Sequence, residues 1–204
     1  LAVAAMGTPP EDSEAIVPAV AWSTTYAPLH QHGYKLRVVD IDPDTLNMDT
    51  RQLEYAITPN TRLLVGVNIL GNPANLTAMR LRAEFWGISF LEDNCESFGA
   101  TLNGKQCGTF GDIGTYSMFF SHHLNTIEGG MVVTNHGDLY ERLLCLREHG
   151  WSRALKDDDG FYEFLLPGYN VRPTEITGAI GLVQLAKAAD AIRIRRDNAK
   201  QFQE

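Results

Sequence analysis

Apolar positions along the chain fall in short runs, separated by polar stretches in which apolar residues recur at helical spacing. That alternation predicts βαβ units around a largely parallel sheet, and so an α/β fold. Ala15-Ile16-Val17, running into Pro18, is the first predicted strand, and residues 36–40, 63–67 and 88–91 are the next three. Asp49 and Gln52 have capping-box spacing ahead of a helix over residues 53–57. Residues 76–86 read as a helix closed by Gly87. After residue 100 the rhythm changes, and Gly104, Gly108, Gly111 and Gly114 punctuate shorter strands and turns. A strand at 130–134 and a helix from about 138 to 148 follow. Residues 151–170, which carry Lys156-Asp157-Asp158-Asp159-Gly160, read as a long surface loop. Pro173 then reads as a first-turn residue of a last helix, which continues with many charges to Glu204.

Composition narrows the classes. With 204 residues, 44% hydrophobic and 21% charged, the chain suits one large or two small soluble domains. A net charge of -8 argues against a nucleic-acid surface, which needs clustered Lys and Arg, yet permits an anion held by a few local donors. Cys95, Cys107 and Cys145 form no CxxC pair, which points to reduced thiols in a cytoplasm rather than a disulfide framework or structural zinc. No apolar run approaches the roughly 18 residues of a membrane span. Residues 1–6 lack the basic region of a signal peptide and read as the end of a helix, so the expectation is a chain cut at both ends.

Ligands of an open parallel sheet gather outside the carboxyl ends of its strands. Trp22, Asn68 and Asp93 each follow a predicted strand, which puts the candidate chemistry along one rim. Taken alone, Asp93 reads more readily as a cap for the following turn, with Glu92 and Glu96 solvated, and Trp22 as core. The adjacent His122 and His123 lack a third ligand at a familiar metal-site spacing. His30, His32, His136 and His149 fall at helix ends and read as surface or capping residues.

The stretch Ser117-Met118-Phe119-Phe120-Ser121-His122-His123-Leu124-Asn125-Thr126-Ile127-Glu128-Gly129-Gly130 is more specific than any of these. Together with Trp22-Ser23-Thr24-Thr25-Tyr26, Asn68-Ile69-Leu70-Gly71-Asn72-Pro73 and Pro167-Gly168-Tyr169-Asn170, it resembles the DegT-type sugar aminotransferases. These are pyridoxal phosphate (PLP) enzymes of the aspartate aminotransferase fold, the PLP-dependent transferase fold type I. In that family a serine stands five residues before the lysine that bonds covalently to the cofactor, and an acidic-Gly-Gly turn follows. Here the position five after Ser117 is His122. Imidazole lacks the primary amine that such a bond needs, but with an ordinary pKa of about 6.5 it shuttles protons well. Replacement of lysine by histidine resembles the dehydratase branch, which removes a sugar hydroxyl instead of delivering an amino group.

The resemblance covers nearly the whole chain and implies a role for each matching residue. Asp93 would pair with the pyridinium nitrogen of PLP, and Glu96 would stand beside the ring and its phenolic oxygen. Trp22 would stack on the ring face and Ser117 would bond the phosphate, while Gly129 and Gly130 would let the backbone turn after Glu128. Asn170 would reach across a homodimer interface to the neighbouring cofactor phosphate, and Arg172 would meet an anionic group of the substrate. His122 would be the catalytic base. It would work with the pyridoxamine phosphate (PMP) form, loaded from glutamate, on a nucleotide-linked 4-keto-6-deoxy sugar, a GDP-linked mannose derivative foremost. Residues 1–187 would be the large PLP-binding domain, a mostly parallel sheet flanked by helices. Residues 188–204 would begin the helix towards a small C-terminal domain; that domain and an N-terminal phosphate loop would lie outside the chain. Two other readings stay open. One is an ordinary sugar aminotransferase, for which Lys35, Lys105, Lys156, Lys187 and Lys200 all lie away from the cofactor loop in sequence. The other is a non-catalytic binding relative.

Overall fold

The computed structural model describes residues 1–155 and 162–203. Its strands are β1 (Glu14–Pro18), β2 (Lys35–Val39), β3 (Thr61–Val67), β4 (Ser89–Asp93), β5 (Thr101–Leu102), β6 (Lys105–Gln106), β7 (Ile113–Ser117) and β8 (Gly130–Thr134). Six of them form one sheet in the order β2-β1-β3-β4-β7-β8, and β5 pairs with β6 in a separate hairpin. Neighbours from β2 to β7 run parallel, and β8 closes the edge antiparallel to β7. The helices are α1 (Ala2–Ala5), α2 (Ser23–Gln31), α3 (Leu53–Ala56), α4 (Leu76–Trp86), α5 (Gly137–Arg147) and α6 (Glu175–Gln203).

Consecutive apolar residues in the central strands serve opposite faces of the sheet, because side chains alternate along a strand. Val17, Leu63, Val65, Leu91 and Ile113 join a core with Val3 of α1, Leu29 of α2 and Leu143 and Leu146 of α5. Their strand neighbours Ile16, Leu64 and Phe90 join a second core with Leu53 of α3 and Leu76, Met79 and Ala83 of α4. Burial on both faces is why β1, β3 and β4 read as near-continuous apolar runs. Each such Leu, Ile or Phe contributes about 1.5–3 kcal/mol of transfer free energy. The alternation continues past the apolar residues: Glu92 shares a face with Phe90, and Asp93 with Leu91.

Most predicted elements lie within two residues of their observed bounds, and α4 ends at Gly87 in the left-handed region (φ 62°) as expected. Three readings need correction. The Asp49 side chain caps a 3-10 turn, Thr50–Gln52, ahead of α3; Gln52 donates back to its carboxylate, so no reciprocal capping box forms. Pro173 lies ahead of the last helix rather than in its first turn, because the Thr174 hydroxyl accepts the Thr177 N–H and starts α6 at Glu175. The 151–170 stretch is not all loop: Ser152–Leu155 form a 3-10 turn with Ser152 buried, and Trp151 bridges Phe164. The acidic run at Lys156–Gly160 lies outside the described residues.

Candidate active site at the carboxyl rim of the sheet

Asp93 is the last residue of β4 and the best-defined group on the rim. Its Oδ2 accepts the Thr25 hydroxyl at 2.7 Å and its Oδ1 accepts the Cys95 N–H at 3.2 Å. The second contact is the turn cap expected of a strand-terminal Asp; the first reaches 68 residues back to α2. An ionised carboxylate has about four lone-pair positions, so each oxygen keeps room for a further donor. Beside it lies a mainly apolar cavity of about 140 Å³, lined by Thr24, Thr25, Leu29, Val65, Leu91 and Thr115 among others. A half-buried carboxyl group with spare acceptor capacity in mainly apolar surroundings suits a cationic N–H donor.

Trp22 is the N-cap of α2, one turn from Thr25. Its indole is 71% exposed, which overturns the reading of Trp22 as core and leaves a large aromatic face open at the rim. Ser117 ends β7, the strand beside β4, and its hydroxyl accepts the Phe119 N–H at 3.2 Å. The chain then turns through His122, whose N–H bonds the Phe119 carbonyl at 3.0 Å and whose half-buried ring lies 6.0 Å from that of Phe119. His123, also half-buried, meets the Arg195 guanidinium of α6 at 3.5 Å. Burial, Arg195 and His122 together push its imidazole below the usual histidine range. The loop closes at Gly129 (φ 150°), where a Cβ would sit 2.7 Å from the Thr126 hydroxyl. That contact explains why a glycine stands there.

Glu96, just past β4, accepts the Leu70 N–H on Oε2 at 2.8 Å. It thereby holds Leu70 in the left-handed region (φ 52°) on the loop after β3. Asn68 begins that loop and is fully buried, bonding the Asn94 side chain at 3.1 Å and the Ala74 N–H at 2.9 Å. It ties the rim loops together and points no free group outward. Asn170 and Arg172 lie on a different segment, docked against the end of α5. Asn170 is exposed and bridges Glu148, and Arg172 is paired with the Glu148 carboxylate at 3.0 Å. Arg172 shares a groove of about 740 Å³ with Met118, Glu128 and Gly129 of the histidine loop.

Glu92 is the clearest correction to the sequence reading. It is 0% exposed, not solvated, and accepts backbone N–H groups from Gly108, Phe110 and Gly111. Burial pushes its carboxyl above the usual range against the pull of those donors. Sequence reasoning also missed Thr25. The signal was available in the three-residue step from Trp22, which places both at the start of one helix. All three cysteines are free thiols. Burial and the Glu92 charge push Cys107 up to about 11, and burial with Asp93 pushes Cys95 up as well, so neither is a thiolate near neutral pH. Among the described residues no group of His, Cys, Asp and Glu forms a metal site. Among the described lysines, Lys35 pairs with Asp12, Lys105 lies over the Phe110 ring, and Lys187 and Lys200 are on α6.

The model of the DegT/DnrJ/EryC1/StrS aminotransferase family matches residues 1–204. The GDP-4-keto-6-deoxy-D-mannose 3-dehydratase of Yersinia pseudotuberculosis is 53% identical over 203 residues, covering 94% of this chain and 52% of the relative. The enzyme of the same name from Escherichia coli O55:H7 is 50% identical over 201 residues, covering 93% and 52%. A solved structure of the Escherichia coli GDP-4-keto-6-deoxy-D-mannose-3-dehydratase with bound hydrated PLP superposes with a TM-score of 0.91 at 47% identity. It covers 98% of this chain and 56% of that one. The chain thus spans about half the length of the curated relatives it matches.

Proposed function

This chain belongs to the DegT/DnrJ/EryC1/StrS aminotransferase family, and from that membership we propose that the whole protein is a PLP- and PMP-dependent 3-dehydratase of a nucleotide-linked 4-keto-6-deoxy sugar. The GDP-linked mannose derivative is the substrate we favour, in deoxysugar biosynthesis for a surface polysaccharide, in the cytoplasm. The observation that carries the reading is His122, five residues after Ser117 at the end of β7, in the place of the family's lysine. Similarity to the two 3-dehydratases supports the choice of sugar.

The donor set suits the cofactor. Asp93 offers a carboxylate with spare acceptor capacity for the ring N–H, Trp22 an open indole for the ring face, and Ser117 a hydroxyl for the phosphate. When bound, the cofactor supplies an electron sink that lets the sugar C3 hydroxyl depart. Asp93 holds the proton on the ring nitrogen, without which that sink weakens. The Trp22 indole covers the ring and excludes water. An imidazole nitrogen of His122 accepts one proton and returns it to the C3 oxygen as it leaves, so one group serves both transfers. Glu96 would meet the phenolic oxygen with the carboxyl oxygen that Leu70 does not occupy. Arg172 exchanges Glu148 for an anionic group of the substrate, and Asn170 reaches the cofactor phosphate of a second subunit in a homodimer. Residues 1–187 form the cofactor-binding domain, and 188–204 lead out of it.

In sum, glutamate supplies two electrons and is converted to 2-oxoglutarate and ammonia, while the sugar C3–OH becomes C3–H. Full-length protein given glutamate, PLP and the GDP-linked 4-keto-6-deoxy sugar should release ammonia and a 3-deoxy 4-keto sugar. Borohydride treatment should leave no pyridoxyl group on any lysine. A stable 4-amino sugar with its C3 hydroxyl intact would replace this reading with a sugar aminotransferase. Absence of any PLP or PMP binding would leave the non-catalytic relative.

A further inference from the structure

We propose that Thr25 is the positioning residue of Asp93, and that their hydrogen bond joins the start of α2 and the end of β4 into one rigid half of the cofactor seat. This rests on the cofactor reading above. The Thr25 side chain is 8% exposed, and its hydroxyl donates to Asp93 Oδ2 at 2.7 Å. A threonine hydroxyl inside a helix commonly bonds a carbonyl of its own preceding turn. Here it reaches out of α2 to a strand end instead. The Cys95 N–H takes the other carboxylate oxygen, so one donor from the following turn and one from the helix set the carboxylate plane.

Helix α2 does not need this bond to stay docked. The Tyr26 hydroxyl donates to the Pro18 carbonyl at 2.9 Å, which anchors α2 to the end of β1, and Leu29 is buried in the core beneath it. The Thr25 bond therefore adds orientation to a helix that is already held. Trp22 is the N-cap of that helix, and its exposed indole has little among the described residues to fix it except the helix itself. Through Thr25, the aromatic face and the carboxylate keep a constant relation, as a seat that grips a flat ring by its face and its edge nitrogen requires. The surroundings make the bond hard to replace, since Leu29, Val65 and Leu91 line the adjoining cavity with hydrocarbon.

The test uses the full-length protein and measures binding of PLP and PMP by fluorescence and absorbance titration for wild type, Thr25→Val, Thr25→Ser, Asp93→Asn and the Thr25→Val/Asp93→Asn double variant. Thr25→Val keeps the volume and loses the donor, and should weaken PMP binding about tenfold, the scale of one hydrogen bond to a charged group. Thr25→Ser keeps the hydroxyl and should bind within about twofold of wild type. In the Asp93→Asn background the valine should cost less than about twofold, because its effect passes through the carboxylate. Equal losses in both backgrounds, or a serine variant as weak as the valine, would reduce Thr25 to packing and overturn the proposal. Wild-type protein that binds neither PLP nor PMP would instead bring down the cofactor reading, and the proposal with it.

Discussion

Behind β4, the carboxylate of Glu92 is sealed from solvent and accepts three backbone N–H groups from the 108–111 loop. In front of it the next residue, Asp93, is half-buried beside a cavity and takes one donor on each oxygen. The two differ by one step along a strand, and that step turns a side chain to the opposite face of the sheet. On the α4 face the acid is enclosed with its acceptors occupied, so it clamps the loop that runs into β7. On the α2 face the acid keeps acceptor capacity and an opening, so it can receive a ligand. A carboxylate whose lone pairs are filled by backbone N–H groups serves the fold, whereas one with acceptor positions left open can take a further donor.

The largest expected effect breaks the sealed side. Glu92→Ala leaves three backbone N–H groups, one buried and two part-buried, without an acceptor and should cost about 3–5 kcal/mol of stability, measured by urea unfolding. A loss below about 1 kcal/mol would mean that water or repacking replaces the clamp, and the contrast with Asp93 would disappear. Asp93→Asn should do the reverse. Its stability should change by about 1 kcal/mol or less, while turnover falls by about a hundredfold or more, roughly 3 kcal/mol of barrier. Near-normal turnover would leave Asp93 as a turn cap alone.

A smaller effect of opposite sign is expected on the rim. Leu70 is 75% exposed and stands in the left-handed region, a conformation that costs a residue with a Cβ about 1–2 kcal/mol. Leu70→Gly removes that strain but frees the unfolded chain, for a net gain of about 0.5 kcal/mol. A loss on unfolding would show instead that the leucine side chain packs on the rim. The smallest effect is a pH dependence. The His123 pKa is lower folded than unfolded, so its contribution to stability is present above the unfolded value and is lost as pH falls through the folded one. The drop in melting temperature between pH 7 and pH 5 should therefore shrink in His123→Gln. An unchanged drop would assign the acid sensitivity to other groups.

Much of the fold was legible because periodicity is local. The paired apolar residues Ile16/Val17, Leu63/Leu64 and Phe90/Leu91 announce a parallel sheet buried on both faces, and Gly87 announces a helix end. The site was legible in part. Asp93 ends β4 and Trp22 follows β1 at the start of α2, as the strand pattern implied; Ser117 ends β7, and His122 stands five residues after it. Glu92 was misread because a charged residue defaults to solvent when its partners lie 16 to 19 positions away in a glycine-rich loop. Thr25 was missed because its partner is 68 residues on.

By itself, then, the chain's sequence determined which segments become strands and helices, which residue pairs split between the two faces, and that position 122, five after Ser117, carries an imidazole without a primary amine. Only the tertiary structure decided that Thr25 meets Asp93, that Glu96 holds Leu70, and that Glu92 closes a loop while its neighbour opens on a cavity. The physical reason is that side-chain direction follows from the local backbone, whereas the partner a side chain finds depends on how the crossover connections bring distant segments to the same strand end.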